Sequence, residues 1–330
     1  MPIATYAFKH KPEVVEKSSS GGAFSAVAEA FFDMEPNIPK TVYGVTLDRD
    51  MNVVYESARS LEECAKFKGS KYVQSSFKGI PERISVDLRE GRAVLFVGTP
   101  CFVHSLKSRL EKTNSNTEML TCVDLICHGT PQKKYWDAYK RWLEMRYKSK
   151  MTAFLFRTNK PGYTPYTATA EFENGKIIKG TLETAVFNRL FLQHYIMCPG
   201  CFQCRYASLE RKGDLTLGDF WGIEDVMPDF RANKAVSEIL VNTEKGNRII
   251  QWIQKQNGWQ IAQCFSDDYI KYQNNLQQPA NKPSAYEKFQ QDFEKKGLEY
   301  VAKKYVGYDF LHHMAFWLRN RHKVVKEKSQ

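Results

Sequence analysis

Residues 93–100 read Ala-Val-Leu-Phe-Val-Gly-Thr-Pro, and residues 120–131 read Leu-Thr-Cys-Val-Asp-Leu-Ile-Cys-His-Gly-Thr-Pro. Each stretch is a short apolar run that ends in a Gly-Thr-Pro turn. A helix-like segment follows, up to Leu110 in the first case and to about Tyr147 in the second. A short apolar run predicts a buried strand, and Pro after a capping Thr predicts the start of a helix. Two consecutive strand–turn–helix units predict an α/β fold with a parallel-sheet core.

The segments on either side of these units carry the patterns of further helices and strands. Small and apolar residues recur at helical spacing after Gly22, and the serines before it are available to cap the first turn. Residues 41–57 predict one hairpin, and residues 166–178, which contain Asn174-Gly175, predict another. Other signals predict a short helix opened by Ser60, helices at 77–90 and 182–194, and strands at 214–218 and 238–242.

The character of the sequence changes near Lys150 and again near residue 266. The two strand–turn–helix units lie before Lys150, a hairpin and a cysteine-rich segment lie after it, and the last part reads as helical. We therefore expect an α/β part at residues 1–150, a cysteine-bearing part at 151–265 and a helical, basic tail at 266–330.

The composition of the 330 residues excludes several classes of protein. Hydrophobic residues make up 42% and charged residues 26%, which is typical of a globular chain and excludes a disordered or collagen-like one. The longest apolar runs are far shorter than the roughly 20 residues of a membrane-spanning helix. The N-terminus lacks the basic and apolar regions of a signal peptide. We therefore expect a cytoplasmic protein with reduced thiols.

The net charge of +11 favours an anionic partner: nucleic acid, acidic lipid, an acidic protein or a phosphate-bearing cofactor. Basic and acidic residues are interleaved along most of the chain, so no stripe for nucleic acid stands out. Part of the excess lies in the last residues, where a solvated tail is the simplest interpretation. An alternative is peripheral membrane contact, in which Phe310, Phe316 and Trp317 rest on anionic lipid.

Cysteines form the most informative chemical pattern. Cys198, Cys201 and Cys204 follow one another at the Cys-x-x-Cys spacing that lets thiolates converge on one metal centre. Cys101 and Cys127 follow the two predicted strands, so both should face the crevice at the carboxyl edge of the sheet. Four thiolates from this set would complete an iron–sulfur site, while a zinc site and ordinary buried thiols remain alternatives. The lone cysteines are read as small core residues: Cys64, Cys122 and Cys264.

Several other segments could contact a cofactor. Residues 18–22, Ser-Ser-Ser-Gly-Gly, precede a predicted helix and could cradle a phosphate, although a plain capped helix start explains them equally well. Lys71 stands beside a turn and could be merely solvated. His128 could move protons next to a ligand cysteine, or be merely hydrogen-bonded. Asp219 stands among aromatic residues that could form either a core corner or a wall for a planar cofactor.

Taken in order along the chain, these motifs resemble the β-subunit family of coenzyme F420 hydrogenases and dehydrogenases. The resemblance spans about residues 18–242 and is carried by the Ser-Ser-Ser-Gly-Gly-Ala-Phe run, by residues 68–74, by Gly-Thr-Pro-Cys101, by Asp-Leu-Ile-Cys-His-Gly129, by Cys201-Phe-Gln-Cys204 and by the Gly-Asp-Phe-Trp-Gly222 run. Such a resemblance implies FAD bound non-covalently in the N-terminal part, beside one 4Fe–4S cluster.

The resemblance also implies roles for individual residues. Cys101, Cys127, Cys201 and Cys204 would be the cluster ligands, with Cys198 as an extra thiol. His128 and Lys71 are the candidate catalytic residues. The candidate flavin contacts are Ser19, Ser20, Gly21, Gly22, Lys71, Gln74, Thr99 and Asp219.

Many relatives carry a ferredoxin-like segment before the Ser-Gly-Gly motif, whereas this sequence starts directly before that motif. The resemblance therefore implies an external electron carrier: a ferredoxin, a deazaflavin such as coenzyme F420, or a nicotinamide. It also suggests a small-molecule or lipid-linked sugar substrate from surface-polysaccharide synthesis. Two other functions compete with this oxidoreductase: a zinc-stapled basic binding protein for nucleic acid or an acidic partner, and a non-redox assembly subunit.

Overall fold

The computed structural model describes residues 1–158, 167–230 and 235–309. The strands are β1 (Ala4–Lys9), β2 (Lys40–Leu47), β3 (Val53–Ala58), β4 (Ala93–Gly98), β5 (Leu120–Leu125), β6 (Met151–Leu155), β7 (Thr169–Phe172), β8 (Ile177–Lys179), β9 (Leu215–Asp219), β10 (Ser237–Val241) and β11 (Gln260–Cys264). The α-helices are α1 (Pro12–Val15), α2 (Ala23–Asp33), α3 (Ile80–Arg89), α4 (Pro100–Lys112), α5 (Lys133–Tyr147), α6 (Leu182–Leu192), α7 (Ile223–Val226), α8 (Glu244–Lys255) and α9 (Tyr286–Val306). Short 3₁₀ helices lie at Glu63–Phe67, Pro199–Gln203, Asp267–Tyr272 and Asn274–Leu276.

A mixed sheet forms the centre of the fold. Within the described residues its strand order is β11-β1-β10-β9-β5-β4-β2-β3. The four inner strands β9, β5, β4 and β2 are parallel to one another, and the outer strands pair antiparallel on both sides. The predicted α/β class with a parallel strand–turn–helix core is therefore confirmed. Strands β6, β7 and β8 form a separate antiparallel sheet.

Helices cover both faces of the large sheet because neighbouring strand residues point to opposite sides. On β4, Leu95 packs in the cluster that contains α2 and α8, whereas Val94 and Phe96 pack with α3 and α4. All three side chains are fully buried. This two-sided burial explains why residues 93–97 are apolar without alternation. No helix among the described residues is both long and apolar enough to cross a membrane.

An aromatic cluster joins the small sheet to α5, α6 and α9. Trp136 is completely buried, its ring packs 5.1 Å from that of Phe154 and 5.0 Å from that of Phe156, and its indole N–H donates to the Met51 carbonyl. That hydrogen bond ties α5 to the turn between β2 and β3. The small sheet therefore packs against α5, the helix that follows β5. This packing brings the end of the small sheet close to the central sheet.

Most predicted elements are present, with shifted starts. The helix expected after Thr130-Pro131 begins at Lys133, because Pro131 instead forms a bridge with Met197. The helix expected at 77–90 begins at Ile80, after a left-handed Gly79. The segment opened by Ser60 is a 3₁₀ helix, in which the Ser60 hydroxyl accepts from the Glu63 N–H.

The expected serine cap of α2 is wrong. Gly22 occupies the N-cap with a left-handed backbone (φ 88°), and no side chain caps this helix. The second hairpin is present as β7 and β8, although Tyr166 lies outside the described residues. Residues 310–330 of the predicted tail at 266–330 also lie outside them, with Phe310, Phe316 and Trp317. The division at residues 150 and 265 stays a prediction. The strands that the sequence analysis missed are β1, β6 and β11, and the missed α-helices are α1, α7 and α8.

Candidate functional site

A cavity of about 780 Å³ opens where the carboxyl ends of β4, β5 and β9 meet the N-terminus of α2. This edge of a parallel sheet is where α/β folds bind ligands. Three regions border this cavity. The cysteine end comprises Cys101, Cys127 and the 198–204 segment, and the serine–glycine wall comprises residues 18–22 with 68–74. The amide wall comprises residues 272–275 with 278–281.

The cysteine end brings together thiols from three separate segments. Cys101 lies in the first turn of α4, and Cys127 lies two residues after β5. Cys198 and Cys204 flank the 3₁₀ helix Pro199–Gln203, and Cys201 lies inside it. Cys198 donates through Sγ to Oε1 of Gln74 at 3.3 Å, and the Cys201 N–H donates to the Cys198 carbonyl at 2.9 Å. Cys204 does not line the cavity, but it is close enough to interact electrostatically with Cys101 and Cys127.

Burial and mutual proximity shift the pKa values of these thiols. Burial, with added repulsion from the thiolates of Cys101, Cys201 and Cys204, raises the pKa of Cys127 to about 12. Burial also raises the pKa of Cys101, against the hydrogen bond from Thr99, whose Oγ1 lies 3.1 Å from Sγ. Hydrogen bonding with the Cys198 thiol, whose one S–H also lies within reach of Gln74, lowers the pKa of Cys201 to about 7.

The donor chemistry fits an iron–sulfur cluster. Several neighbouring thiols cannot all ionise unless bound metal compensates their charge. Among the described residues, no three His, Cys, Asp or Glu side chains converge around a point that a single metal ion could occupy. A tetrahedral zinc ion would need sulfurs about 2.3 Å from one centre. A cluster takes one thiolate per iron and accepts a more widely spaced set.

The serine–glycine wall is built from main chain. The Gly21 carbonyl accepts from the His10 N–H at 2.8 Å, and Ser20 donates to the Val236 carbonyl at 3.0 Å. Gly21 itself does not line the cavity. A Cβ on it would collide with backbone atoms of β1 and β10, so only glycine lets the segment lie this close to the sheet. The first turn of α2 thus faces the cavity without a side-chain cap, which leaves N–H donors available for an anion.

Residues 68–74 form the second half of this wall. The Ser70 N–H donates to Oγ of Ser19 at 2.6 Å, which joins the two segments. The Lys71 ammonium donates to the carbonyls of Lys66 and Lys68, at 3.1 and 2.9 Å, and burial lowers the pKa of Lys71 to about 7. Gln74 is held by a hydrogen bond from its N–H to the Pro131 carbonyl, and its side chain meets Cys198.

His128 forms a pair with His194 across the cavity. The two Nε2 atoms are 2.8 Å apart, and Nδ1 of His194 lies 2.8 Å from the Asn281 carbonyl oxygen. A carbonyl only accepts, so Nδ1 of a neutral His194 carries the hydrogen and its Nε2 accepts from His128. Burial, together with repulsion from His194, lowers the pKa of His128 to about 4. The His128 ring is therefore neutral near pH 7.

Asp219 is paired with an arginine that the sequence analysis missed. Both Asp219 oxygens accept from Arg157, at 2.5 and 3.1 Å, and the pair lines the cavity beside Trp221. Trp221 keeps 45% of its surface exposed, so the aromatic residues here form a cavity wall as well as part of the core. Arg157 follows β6, a strand with no clear alternation, and nothing in the sequence marked it.

The structure thus gathers the predicted site residues around one cavity, with Gly21 and Cys204 just behind its lining. Thr99 contacts Cys101 rather than standing apart from the cysteine end. Residues that the sequence analysis did not find are Arg157, His194 and the amide wall. The amide wall could have been suspected from the run of Asn and Gln between 273 and 281.

The chain matches a family model, and its fold is similar to that of solved structures. The sequence matches the family model for the C terminus of the beta subunit of coenzyme F420 hydrogenase/dehydrogenase over residues 91–264, which is more than half of the chain. The fold is similar to a chain in the xenon-derivatized F420-reducing [NiFe] hydrogenase complex from Methanosarcina barkeri. That match has a TM-score of 0.55 at 15% identity and covers 89% of this chain and 92% of the other. No curated protein matches the sequence.

Proposed function

This chain belongs to the coenzyme F420 hydrogenase/dehydrogenase β-subunit family, and from that premise we propose that it is an oxidoreductase that uses FAD and one 4Fe–4S cluster. The observation that carries the proposal is that a single cavity has a cluster of cysteines at one end and an uncapped helix N-terminus in its wall. A flavin bound against that wall would lie within the same cavity as the thiols. FAD would supply hydride chemistry, and the cluster would supply single-electron transfer.

The residues that would hold FAD are those of the serine–glycine wall. The open N–H groups of the first turn of α2 would bind a phosphate of the cofactor, helped by the helix dipole. Lys71 would add a positive charge, which is present below a pH of about 7. Ser19 and Ser70 hold the two halves of this wall together.

The residues that would hold the cluster are Cys101, Cys127, Cys201 and Cys204. Cys198 hydrogen-bonds to Gln74 of the serine–glycine wall, so we assign it a place between the two cofactors rather than among the four ligands. The hydrogen-bonded pair of His128 and His194 would lie next to Cys127. His128 would exchange a proton with the substrate only when that pairing opens.

The substrate would enter along the amide wall. The side-chain amides of Asn274 and Gln278 have no hydrogen-bond partner within the described residues. Amides both donate and accept, and the exposed face of Trp221 offers a flat apolar surface. These features suit a neutral ligand with many hydroxyl groups, which supports a sugar or lipid-linked sugar as the substrate. The electron carrier would be an external ferredoxin, deazaflavin or nicotinamide.

The proposal is tested by an absorption spectrum of anaerobically purified protein, with iron, zinc and flavin assayed on the same sample. We expect brown protein with about four irons and one flavin per chain. Reduction by a ferredoxin, coenzyme F420 or NADH would then identify the carrier class. Colourless protein with one zinc would favour the zinc-stapled binding protein. Failure to take up FAD, iron and sulfide in reconstitution would contradict the proposal.

A further inference from the structure

A buried ion pair lies beneath the cysteine end of the cavity. Asp124 on β5 is fully buried, and its partner Arg211 keeps only 1% of its side-chain surface exposed. The guanidinium donates to Oδ1 of Asp124 through Nη2 at 2.8 Å and through Nε at 3.2 Å. Asp124 also accepts from the Thr216 hydroxyl at 2.7 Å. Its other oxygen accepts from the backbone N–H groups of Lys212 and Gly213.

Three further hydrogen bonds of Arg211 go to two of the segments that carry the cysteines. Its Nη1 donates to the carbonyls of Tyr206 and Ser208, at 3.0 and 3.2 Å, and its Nη2 donates to the Leu125 carbonyl at 2.9 Å. Tyr206 stands two residues after Cys204, and Leu125 stands two residues before Cys127. One guanidinium therefore ties the loop after Cys204 to the end of β5.

The third cysteine-bearing segment, at the start of α4, contacts the loop after Cys204 through aromatic rings. His104, three residues after Cys101 on α4, has its ring 5.4 Å from that of Tyr206. The Tyr206 carbonyl is held by Arg211. The Arg211–Asp124 pair therefore contacts two of the cysteine-bearing segments directly and the third through Tyr206.

A buried ion pair is weak evidence for stability, because an apolar pair of the same volume is often as stable. Here, however, the pair satisfies carbonyls and N–H groups in a loop that has little regular structure of its own. We propose that Asp124 and Arg211 are positioning residues that hold Cys204 and Cys127 in register for the cluster. The inference rests on the proposed function, and it adds two residues to which the sequence motifs assigned no role.

The test compares Arg211→Lys with wild type and with Arg92→Lys. Lysine keeps the charge but lacks the planar fork that reaches several acceptors at once. Arg92 pairs with the buried Asp87 at the opposite edge of the sheet and serves as the matched control. We expect Arg211→Lys to lose iron to a chelator roughly tenfold faster than wild type, as for other residues that orient metal ligands. FAD uptake should be retained in all three proteins.

A second measurement uses the metal-free proteins. Alkylation followed peptide by peptide reports how firmly each cysteine is held, and we expect the Cys204 peptide to react faster in Arg211→Lys and unchanged in Arg92→Lys. If Arg211→Lys fails to fold, Thr216→Val, which removes one donor to Asp124, carries the same test. Wild-type iron retention and wild-type alkylation in a folded variant would overturn the proposal and leave a structural ion pair only. Wild-type protein that takes up no iron would instead contradict the proposed function, while the alkylation comparison would still decide about Arg211.

Discussion

The cysteine end and the serine–glycine wall face the same cavity but are built in different ways. The cysteine end consists of side chains from three distant segments, and a buried side-chain network underlies it. The serine–glycine wall consists of main chain laid against β1 and β10, where Gly21 allows the close approach. Function at the first end depends on individual sulfur atoms, and function at the second depends on the path of the backbone. Substitutions should therefore act differently at the two ends.

The largest effect is expected from removal of one cluster ligand. Cys201→Ala takes away one of the four proposed ligand thiolates, so iron per chain should fall by at least about tenfold, while FAD uptake remains. Cys264→Ala is the control, because Cys264 is a buried core thiol away from the cavity. Iron assays on both purified variants provide the measurement. Equal iron contents in Cys201→Ala and wild type would remove Cys201 from the ligand set.

The next effect concerns the backbone of the opposite wall. In Gly21→Ala the new Cβ collides with the Phe8 carbonyl and the Ser237 N–H, so the segment must move away from the sheet. We expect a loss of about 1–3 kcal/mol in the free energy of unfolding and weaker FAD binding. Gly200→Ala is the matched control at the cysteine end, because a Cβ there meets no atom within 4 Å. Denaturant titration compares the two variants, and equal stabilities would refute the close-approach argument.

The same contrast explains what the sequence could predict. Residues 93–97 were recognisable as a strand because burial on both faces makes them continuously apolar, and residues 120–126 are apolar apart from Thr121 and Asp124. Cys101 and Cys127, which follow these strands, could then be placed at one edge of the sheet. The cysteine spacing signalled its chemistry directly. The predicted serine cap of α2 failed because these hydroxyls instead contact Val236 and Ser70, which are distant in sequence.

Residues whose roles depend only on tertiary contacts could not be identified from the sequence pattern. Arg157 and Arg211 are matched to their aspartates by the fold alone, over separations of 62 and 87 residues. Strand β1 was missed because its neighbours β10 and β11 come from the far end of the chain. Pairing between distant strands cannot be read from local alternation.

A smaller effect is expected from the charge on Lys71. Burial lowers the pKa of Lys71 to about 7 from its ordinary 10.5. The ammonium is thus present below pH 7 and is lost as the pH rises, so FAD affinity should fall between pH 6 and pH 8. A hydrogen bond to a charged group contributes about 1.5–3 kcal/mol, which is roughly 10- to 150-fold in affinity for complete loss of the charge. Because the charged fraction falls only about tenfold between these two pH values, FAD affinity should fall by roughly five- to tenfold. Lys71→Arg stays charged and should abolish the dependence. FAD titrations of both proteins at the two pH values test this, and parallel profiles would contradict it.

The pH dependence of folding stability has the opposite sign to that of FAD affinity. Between pH 7 and 10.5 the unfolded chain binds a proton at Lys71 that the folded chain does not. Stability should therefore rise with pH across this window, and the destabilising effect of the buried charge is complete below pH 7. Lys71→Met removes this destabilising contribution. The unfolding free energy of the variant should therefore exceed that of wild type most at low pH, and the two values should converge near pH 10.5. Denaturant titrations across the window measure the difference.

The smallest effect is expected from the hydrogen bond between the two halves of the serine–glycine wall. Ser19→Ala leaves the Ser70 N–H without its acceptor, which costs about 1 kcal/mol and should weaken FAD binding roughly fivefold. Ser85→Ala is the control, because Ser85 shares its hydrogen bond with Ser115 in a region away from the cavity. FAD titration of both variants provides the measurement. If Ser19→Ala loses only stability, to the same degree as Ser85→Ala, the main chain alone holds this wall and the contrast between the two ends of the cavity becomes sharper.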